Sequence, residues 1–366
     1  MKKHTIKKSL KLSASVCVIA LAIGITMLNG CTKDKTIGNT GTNTNVGNGP
    51  SASMLPAVQN NPITHVLTVA NIRNYKGASQ VMFNENPQVF NIPNTALLSS
   101  LQQALSNHSK VKVTFNPWQA IVLQVNVPTS KEIANASLGP VTSEQGIIIN
   151  VDQNKINSGE LDNPEKLGIL NDNSNTHQAL TNVIPNIATA ELMFTYLARQ
   201  CCRLGGPYDV DFCISFQYCE DGCYARAHKM CYVINNKYHY ATHKIFSFAN
   251  MGNDELSVEA EKWGGCCINW WYHVAPVVNI NTPTGVKAYV FDPAMFDQPV
   301  LLSAWLHAQE NPSCAGPYNP NVSMINLQPT TSYSPSSFSG YTFDTDPTYA
   351  YTDSTLVNYA PLSTCF

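Results

Sequence analysis

The sequence predicts an α+β protein in two units: a small N-terminal α+β unit, then a cysteine-rich unit built around an antiparallel sheet. Ile63, His65, Leu67 and Val69 alternate as a half-buried strand does, and Asn94 can cap a helix running through Leu97, Leu98, Leu101 and Leu105. In the second unit Asp221-Gly222 is a turn signal, after which Cys223, Ala227, Met230 and Ile234 share one helical face. Strand-like segments follow on either side of the Thr282–Gly285 turn, so they run antiparallel.

A chain of 366 residues with 44% hydrophobic content can bury a core in each of two units. The formal charge is −2, and Lys2, Lys3, Lys7, Lys8 and Lys11 lie before residue 31 with no acid among them. Without that segment 17 basic residues face 24 acidic ones, so nothing favours nucleic acid or anionic lipid as a partner. The lysines and the short apolar run from Ser13 to Leu28 read as an export signal. The signal ends in Leu28-Asn29-Gly30-Cys31, which resembles a bacterial lipobox with an unusual Asn29. On that reading Cys31 is diacylated and anchors a cell-envelope lipoprotein. The other reading is a plain signal peptide and a secreted protein.

Residues 1–30 are thus the signal and 31–62 a tether of Gly, Asn, Thr, Ser and Pro that lacks core-forming side chains. From Ile63 the first unit runs through the Asn94 helix, closed by Asn107, to strands at Val111–Phe115 and Ile121–Val127. It contains no cysteine and reads as a structural, binding or inhibitory module. Polar turn residues between 150 and 178 mark a domain boundary and an exposed place for proteolytic activation. Asn186 then begins an amphipathic helix, and the tail from Thr330 to Phe366 reads as extended and tethered through Cys365.

Ten cysteines follow residue 200, and in an oxidising compartment most should be paired. The adjacent pairs Cys201-Cys202 and Cys266-Cys267 are expected to reach distant partners, because bridging neighbours strains the backbone. Cys223 is either a disulfide half or a nucleophile. A helix start lowers a thiol's pKa and offers its N–H groups to an oxyanion. A zinc site using Cys219, Cys223 or Cys231 with His228 matches no compact ligand spacing.

His273 lies in the strand-like run 268–278, and Asp292-Pro293 ends the next strand, Val286 to Phe291. Taken singly, His273 reads equally as a core histidine and Asp292 as a turn residue. Together with Cys223 they follow the chain order of papain-like and transglutaminase-like thiol enzymes. In that chemistry Cys223 attacks a carbonyl, His273 carries the proton and Asp292 fixes the imidazole. The Cys223 backbone N–H is the natural oxyanion donor. His228, farther along the same helix, and His307 are weaker candidates.

Asp-Gly-Cys-Tyr-Ala-Arg-Ala-His-Lys-Met at 221–230 resembles the bacterial protein-glutaminases, the protein-glutamine deamidases made as secreted zymogens. Cys266-Cys267 with Trp270 and Tyr272-His273-Val274-Ala275, then Asp292-Pro293 with Phe296 and Ala304-Trp305, resemble the same family; Leu97 to Val113 and Val183-Ile184-Pro185 do so weakly. The resemblance implies a transglutaminase-like or papain-like cysteine hydrolase core over 181–366, a Cys223-His273-Asp292 triad, and no cofactor or metal. It implies substrates that are proteins or peptides with exposed glutamine, hydrolysed to glutamate and ammonia. It also implies that 63–180 is a pro-domain and linker covering the site until an activating protease cuts. The only membrane contact expected is the N-terminal lipid anchor. Cys219 and Cys231 stand where the family leads one to expect no cysteine, and a bridge between them would span the helix start. Trp270 is a candidate for lining the acyl pocket or supporting the oxyanion, with packing as the alternative. A transglutaminase and a papain-like protease would use the same three residues. A disulfide-stapled surface binding protein would need none of them.

Overall fold

The computed structural model describes residues 62–364 apart from 140–145, 170–179, 203–211, 251–253, 317 and 363. The signal, Cys31, the tether, part of the polar connection and Cys365 lie outside the described residues. Among the described residues no helix is long and apolar enough to cross a membrane.

The N-terminal unit comprises β1 (Ile63–Tyr75), β2 (Ala78–Phe83), β3 (Asn86–Ile92), α1 (Thr95–Ser106), β4 (Lys110–Asn116), β5 (Ile121–Asn126) and α2 (Ser130–Asn135). The Asn94 side chain accepts the Leu97 N–H, and Asn107 closes α1 as expected. Leu101 and Ala104 of this helix pack with Leu67, Val81, Phe83, Phe90, Val113 and Phe115 into a small core. Strands β2 and β3, a hairpin that the spacing of apolar residues did not reveal, project from this core toward the rest of the chain.

Next come β6 (Ile147–Asn150) and α3 (Gln153–Ser158), then α4 (Ile187–Arg199), α5 (Cys223–Lys237), β7 (His243–Ala249), β8 (Asp254–Glu259), β9 (Cys267–Trp270), β10 (Tyr272–Thr282) and β11 (Gly285–Val290). The chain finishes with β12 (Val300–Leu301), α6 (Leu302–His307), β13 (Asn319–Pro320), β14 (Val322–Gln328), β15 (Ser332–Pro335), β16 (Phe343–Thr345) and α7 (Ala350–Tyr359). One sheet has the order β12-β11-β10-β7-β14-β6, and its neighbouring strands are antiparallel. The other, β13-β8-β9-β3-β2-β1-β4-β5, joins both units through the pairing of Gln88 with Trp270. The mixed α+β class is therefore as expected, but β6 forms an edge of the first sheet and β1 to β5 make up most of the second, so the N-terminal residues are not a detached lobe.

Three expectations need correction. The polar stretch after residue 150 is structured through residue 169, and Ile156, Leu161, Leu167 and Ile169 enter the larger core. Its Asp and Gly residues are caps, with the Asp152 side chain accepting the Lys155 N–H and Gly159 ending α3 in the left-handed region. The run 268–278 is broken at Trp271 into β9 and β10, which belong to different sheets. The tail is not merely extended: Tyr333, Phe343, Leu356 and Tyr359 are buried, and the Asp346 carboxylate accepts the Thr352 N–H in the first turn of α7.

Cysteine pairing follows the expectation for the adjacent pairs. Cys202 bonds Cys213 and Cys267 bonds Cys314; Cys201 and Cys266 are disulfide-bonded as well. The Cys267–Cys314 bridge closes a 47-residue separation, a constraint worth roughly 4 kcal/mol in chain-entropy terms, and it pins the strand that carries Trp270. Cys219, Cys223 and Cys231 are free and buried, so no Cys219–Cys231 bridge spans the helix start.

Candidate active site

Cys223 is the first residue of α5, and the turn before it is built for that position. Gly222 has φ 81°, a left-handed conformation that L side chains adopt at a cost of ~1–2 kcal/mol. A Cβ there would also lie 2.9 Å from the Tyr359 ring. The Asp221 carboxylate accepts the Gly222 N–H at 2.5 Å and the Tyr359 hydroxyl. Arg226, 2% exposed, passes beneath the turn and donates from Nη1 to the carbonyls of Tyr218 and Asp221, both at 2.7 Å. Sequence reasoning gave Arg226 no role. The available signal was a cation three residues after Cys223, one turn along the helix that it opens.

Strand β10 packs along α5 and brings His273 into the site. The backbone N–H of Val274, the residue after His273, points at the Cys223 sulfur. Burial pushes the Cys223 thiol well above its ordinary range, against the opposing effect of the Arg226 charge. Cys219 behaves alike, pushed up to about 12 by burial.

His273 and Asp292 meet as the hairpin register requires. Val277 pairs with Val290, the Phe291 N–H donates to the Pro276 carbonyl at 3.0 Å, and Asp292 emerges beside the start of β10. Its Oδ2 lies 2.8 Å from His273 Nε2, with both side chains at least 96% buried. The same oxygen accepts Trp305 Nε1–H at 3.0 Å. Burial pushes the Asp292 carboxyl up, but the charge and hydrogen bond of His273, with the Trp305 N–H, more than offset it and hold the group below its ordinary value. His273 Nδ1 is buried without a hydrogen-bond partner.

Two indoles lie against the imidazole. Trp270 stacks on it at 4.4 Å between ring centroids and 10° between planes, and Trp305 lies at 5.4 Å and 28°. Trp270 Nε1–H donates to the Glu220 carbonyl at 3.2 Å. The single indole N–H is thus engaged, and what Trp270 offers here is its ring face rather than an oxyanion donor. The break at Trp271 lets Trp270, on one sheet, lie flat over a histidine on the other. His228 faces away, held between Lys244 and the Asp346 carbonyl, and His307 ends α6.

Residues 190–309 match the family model described as glutaminase, a span that includes Cys223, His273, Asp292 and both indoles. An NMR structure of protein-glutaminase from Chryseobacterium proteolyticum is 33% identical over 51% of this chain and 93% of that one, with a TM-score of 0.43. The chain belongs to the protein-glutaminase family. It is an amide-hydrolysing enzyme. A crystal structure of a pro-protein-glutaminase, 24% identical over 83% of this chain and 95% of that one with a TM-score of 0.58, shares the fold with the N-terminal unit included. No curated protein matches.

In this protein-glutaminase Trp305, which the sequence marked only as part of a family motif, binds the carboxylate that holds His273. Trp305→Phe keeps an aromatic ring beside His273 and deletes the N–H to Asp292. A hydrogen bond to a charged acceptor contributes ~1.5–3 kcal/mol, so kcat should fall roughly tenfold or more with KM little changed, read from ammonia release.

Proposed function

We propose that this protein-glutaminase is a protein-glutamine deamidase made as a zymogen, acting through Cys223, His273 and Asp292 on a transglutaminase-like, papain-like core. The observation that carries the mechanism is the His273 Nε2 bond to Asp292, with Nδ1 unpartnered on the strand that faces the start of α5. That tautomer leaves Nδ1 to take the thiol proton. The thiolate then adds to the side-chain amide carbon of a substrate glutamine. The oxyanion is met by the Cys223 backbone N–H at the positive end of α5, where the first-turn N–H groups have no intrahelical partner. The imidazolium returns its proton to the departing nitrogen, releasing ammonia and leaving a γ-glutamyl thioester. Water, deprotonated by His273, resolves the thioester to glutamate and restores the thiol. Asp292 keeps the imidazole oriented and stabilises its cation.

The zymogen reading rests on the hairpin formed by β2 and β3. Trp271 N–H donates to the Pro87 carbonyl at 2.9 Å, Trp271 Nε1–H to the carbonyls of Asn86 and Phe83, and Asn86 Nδ2 to the Asp221 carboxylate at 3.1 Å. Cys223 and His273 are each 1% exposed beneath these contacts, which leaves no path for a protein side chain. An activating protease cutting between Ile169, the last core residue of the polar stretch after 150, and Asn186 at the start of α4 would separate 63–180 as the pro-unit from 181–366 as the catalytic unit. Export fits the disulfides. Lipidation at Cys31, or free secretion, belongs to this proposal as well, as do protein and peptide substrates with exposed glutamine.

The full-length protein is to be compared before and after limited proteolysis, with casein as substrate. Ammonia release and a mass gain of about one unit per modified glutamine are expected only after cleavage, together with a large rise in the rate of Cys223 alkylation by iodoacetamide at neutral pH. Equal activity before cleavage sinks the zymogen reading. Peptide fragments or incorporated amine in place of ammonia assign the same residues to a protease or a transglutaminase.

A further inference from the structure

Arg73 of β1 reaches across the boundary between the units into a recess of the C-terminal unit. Its Nη2 pairs with the Glu255 carboxylate, its Nη1 donates to the Asp254 carbonyl at 3.2 Å, and its guanidinium carbon lies 5.2 Å from the centre of the Tyr318 ring. Nε donates to Gln80 of β2 at 2.8 Å. The two charged side chains are 8% and 2% exposed. Three of these partners, Glu255, Asp254 and Tyr318, belong to the catalytic unit and stay with it when the N-terminal unit is removed. Arg73 and Gln80 leave.

A carboxylate built into such a recess is costly without a cation, and breaking one side of a buried pair is far less favourable than exchanging the partner. The acceptor set fits a guanidinium or ammonium group: a carboxylate, a carbonyl and an aromatic face. Burial raises the Glu255 carboxyl to about 7, and the charge and hydrogen bond of Arg73 oppose that shift and favour the carboxylate.

The position relates this recess to the reacting centre. Leu256 of β8 pairs with Trp270 of β9, so Glu255 lies one residue along β8 from the strand partner of the indole stacked on His273, with its side chain on the opposite face of the sheet. In the full-length chain a cavity of about 330 Å³ lies between the units, and Glu220, Asn269, Glu255 and Tyr318 line the side of it that stays with the catalytic unit. Gln88 is the residue that pairs with Trp270, and its side-chain oxygen is buried without a partner. Extended peptide advances about 3.3 Å per residue, so a side chain three or four residues from the target glutamine lies roughly 10–13 Å from it along the bound chain.

We propose that Glu255, the Asp254 carbonyl and the Tyr318 ring form a cation subsite in the processed enzyme, which takes an arginine or lysine side chain of the protein substrate near the target glutamine. Arg73 occupies that subsite in the full-length chain. The inference rests on the deamidase reading above and adds a substrate preference to it. The excess of acidic over basic residues beyond the signal favours the same class of substrate.

The test uses the full-length protein after limited proteolysis, without separating the fragments, and a series of glutamine peptides. Each carries arginine, lysine, norleucine or glutamate at one position from four residues before the glutamine to four after. At one or two positions arginine and lysine should lower KM about tenfold relative to norleucine with kcat little changed, and glutamate should raise it. For Glu255→Gln the ratio of arginine to norleucine peptides should collapse toward one. Should that variant fail to fold, raising the salt in the wild-type assay must shrink the same ratio. Equal rates for all four side chains at every position overturn the subsite while leaving the deamidase intact. No turnover of any glutamine peptide overturns the deamidase reading and the subsite with it.

Discussion

Cys223→Ala is expected to abolish ammonia release from the processed enzyme, lowering kcat by at least ~10⁴-fold, because no other group in the site can form the thioester. The substitution should leave the fold intact. Cys223 is a small buried side chain in no disulfide, and alanine is a strong helix former at the same position. Melting temperature and near-UV circular dichroism, measured beside activity, separate lost chemistry from lost structure. Activity within tenfold of wild type would remove Cys223 from the mechanism. Cys219→Ala is the control. That thiol is also buried and free, but its sulfur lies near the carbonyls of Phe216 and Ala294, and activity should be retained.

Asp292→Asn is expected to lower kcat on the order of 10³–10⁴-fold with little change in KM, the size of loss that follows from taking the charge and tautomer control from a catalytic imidazole. In this site one carboxylate oxygen accepts from both His273 Nε2 and Trp305 Nε1. An amide in its place brings no negative charge to stabilise the imidazolium. An amide nitrogen turned toward the pair would also force the ring proton onto Nδ1, where it blocks the thiol. Steady-state ammonia release against pH checks this. A loss smaller than tenfold would mean that Asp292 only fills space. Trp305→Phe should move the same rate in the same direction by a smaller factor, since it removes one donor and keeps the carboxylate.

Much of the site was legible along the chain. The Asp221-Gly222 turn and the apolar spacing after it located the start of α5, and the Asp-Pro stop with the Thr282–Gly285 turn located a hairpin able to bring Asp292 to His273. These signals are local, since a cap, a turn and a strand end are decided by neighbouring residues. What was missed depends on packing between distant segments. Polar residues after 150 looked like a connection because Asp and Gly serve equally in linkers and in caps. The Tyr-rich tail looked extended because tyrosine carries an apolar ring behind a polar tip and is buried or exposed according to what covers it.

By itself the sequence determined that three residues with the chemistry of a thiol hydrolase stand in a workable order, on a helix start and two successive strands, within an α+β chain rich in cysteine. Only the tertiary structure decided how that order becomes a site. The break at Trp271 sends β9 and β10 into different sheets and lays one indole on His273, while Trp305, from a separate helix, brings a second indole beside it and binds Asp292. Tertiary structure also decided that the hairpin formed by β2 and β3 packs against Trp271 and Asp221 and that Arg73 meets Glu255 across 182 residues of sequence. The physical reason is the range of the interactions. Turn and cap preferences are set within a few residues, whereas stacking, sheet-edge pairing and buried ion pairs exist only once remote segments are brought together.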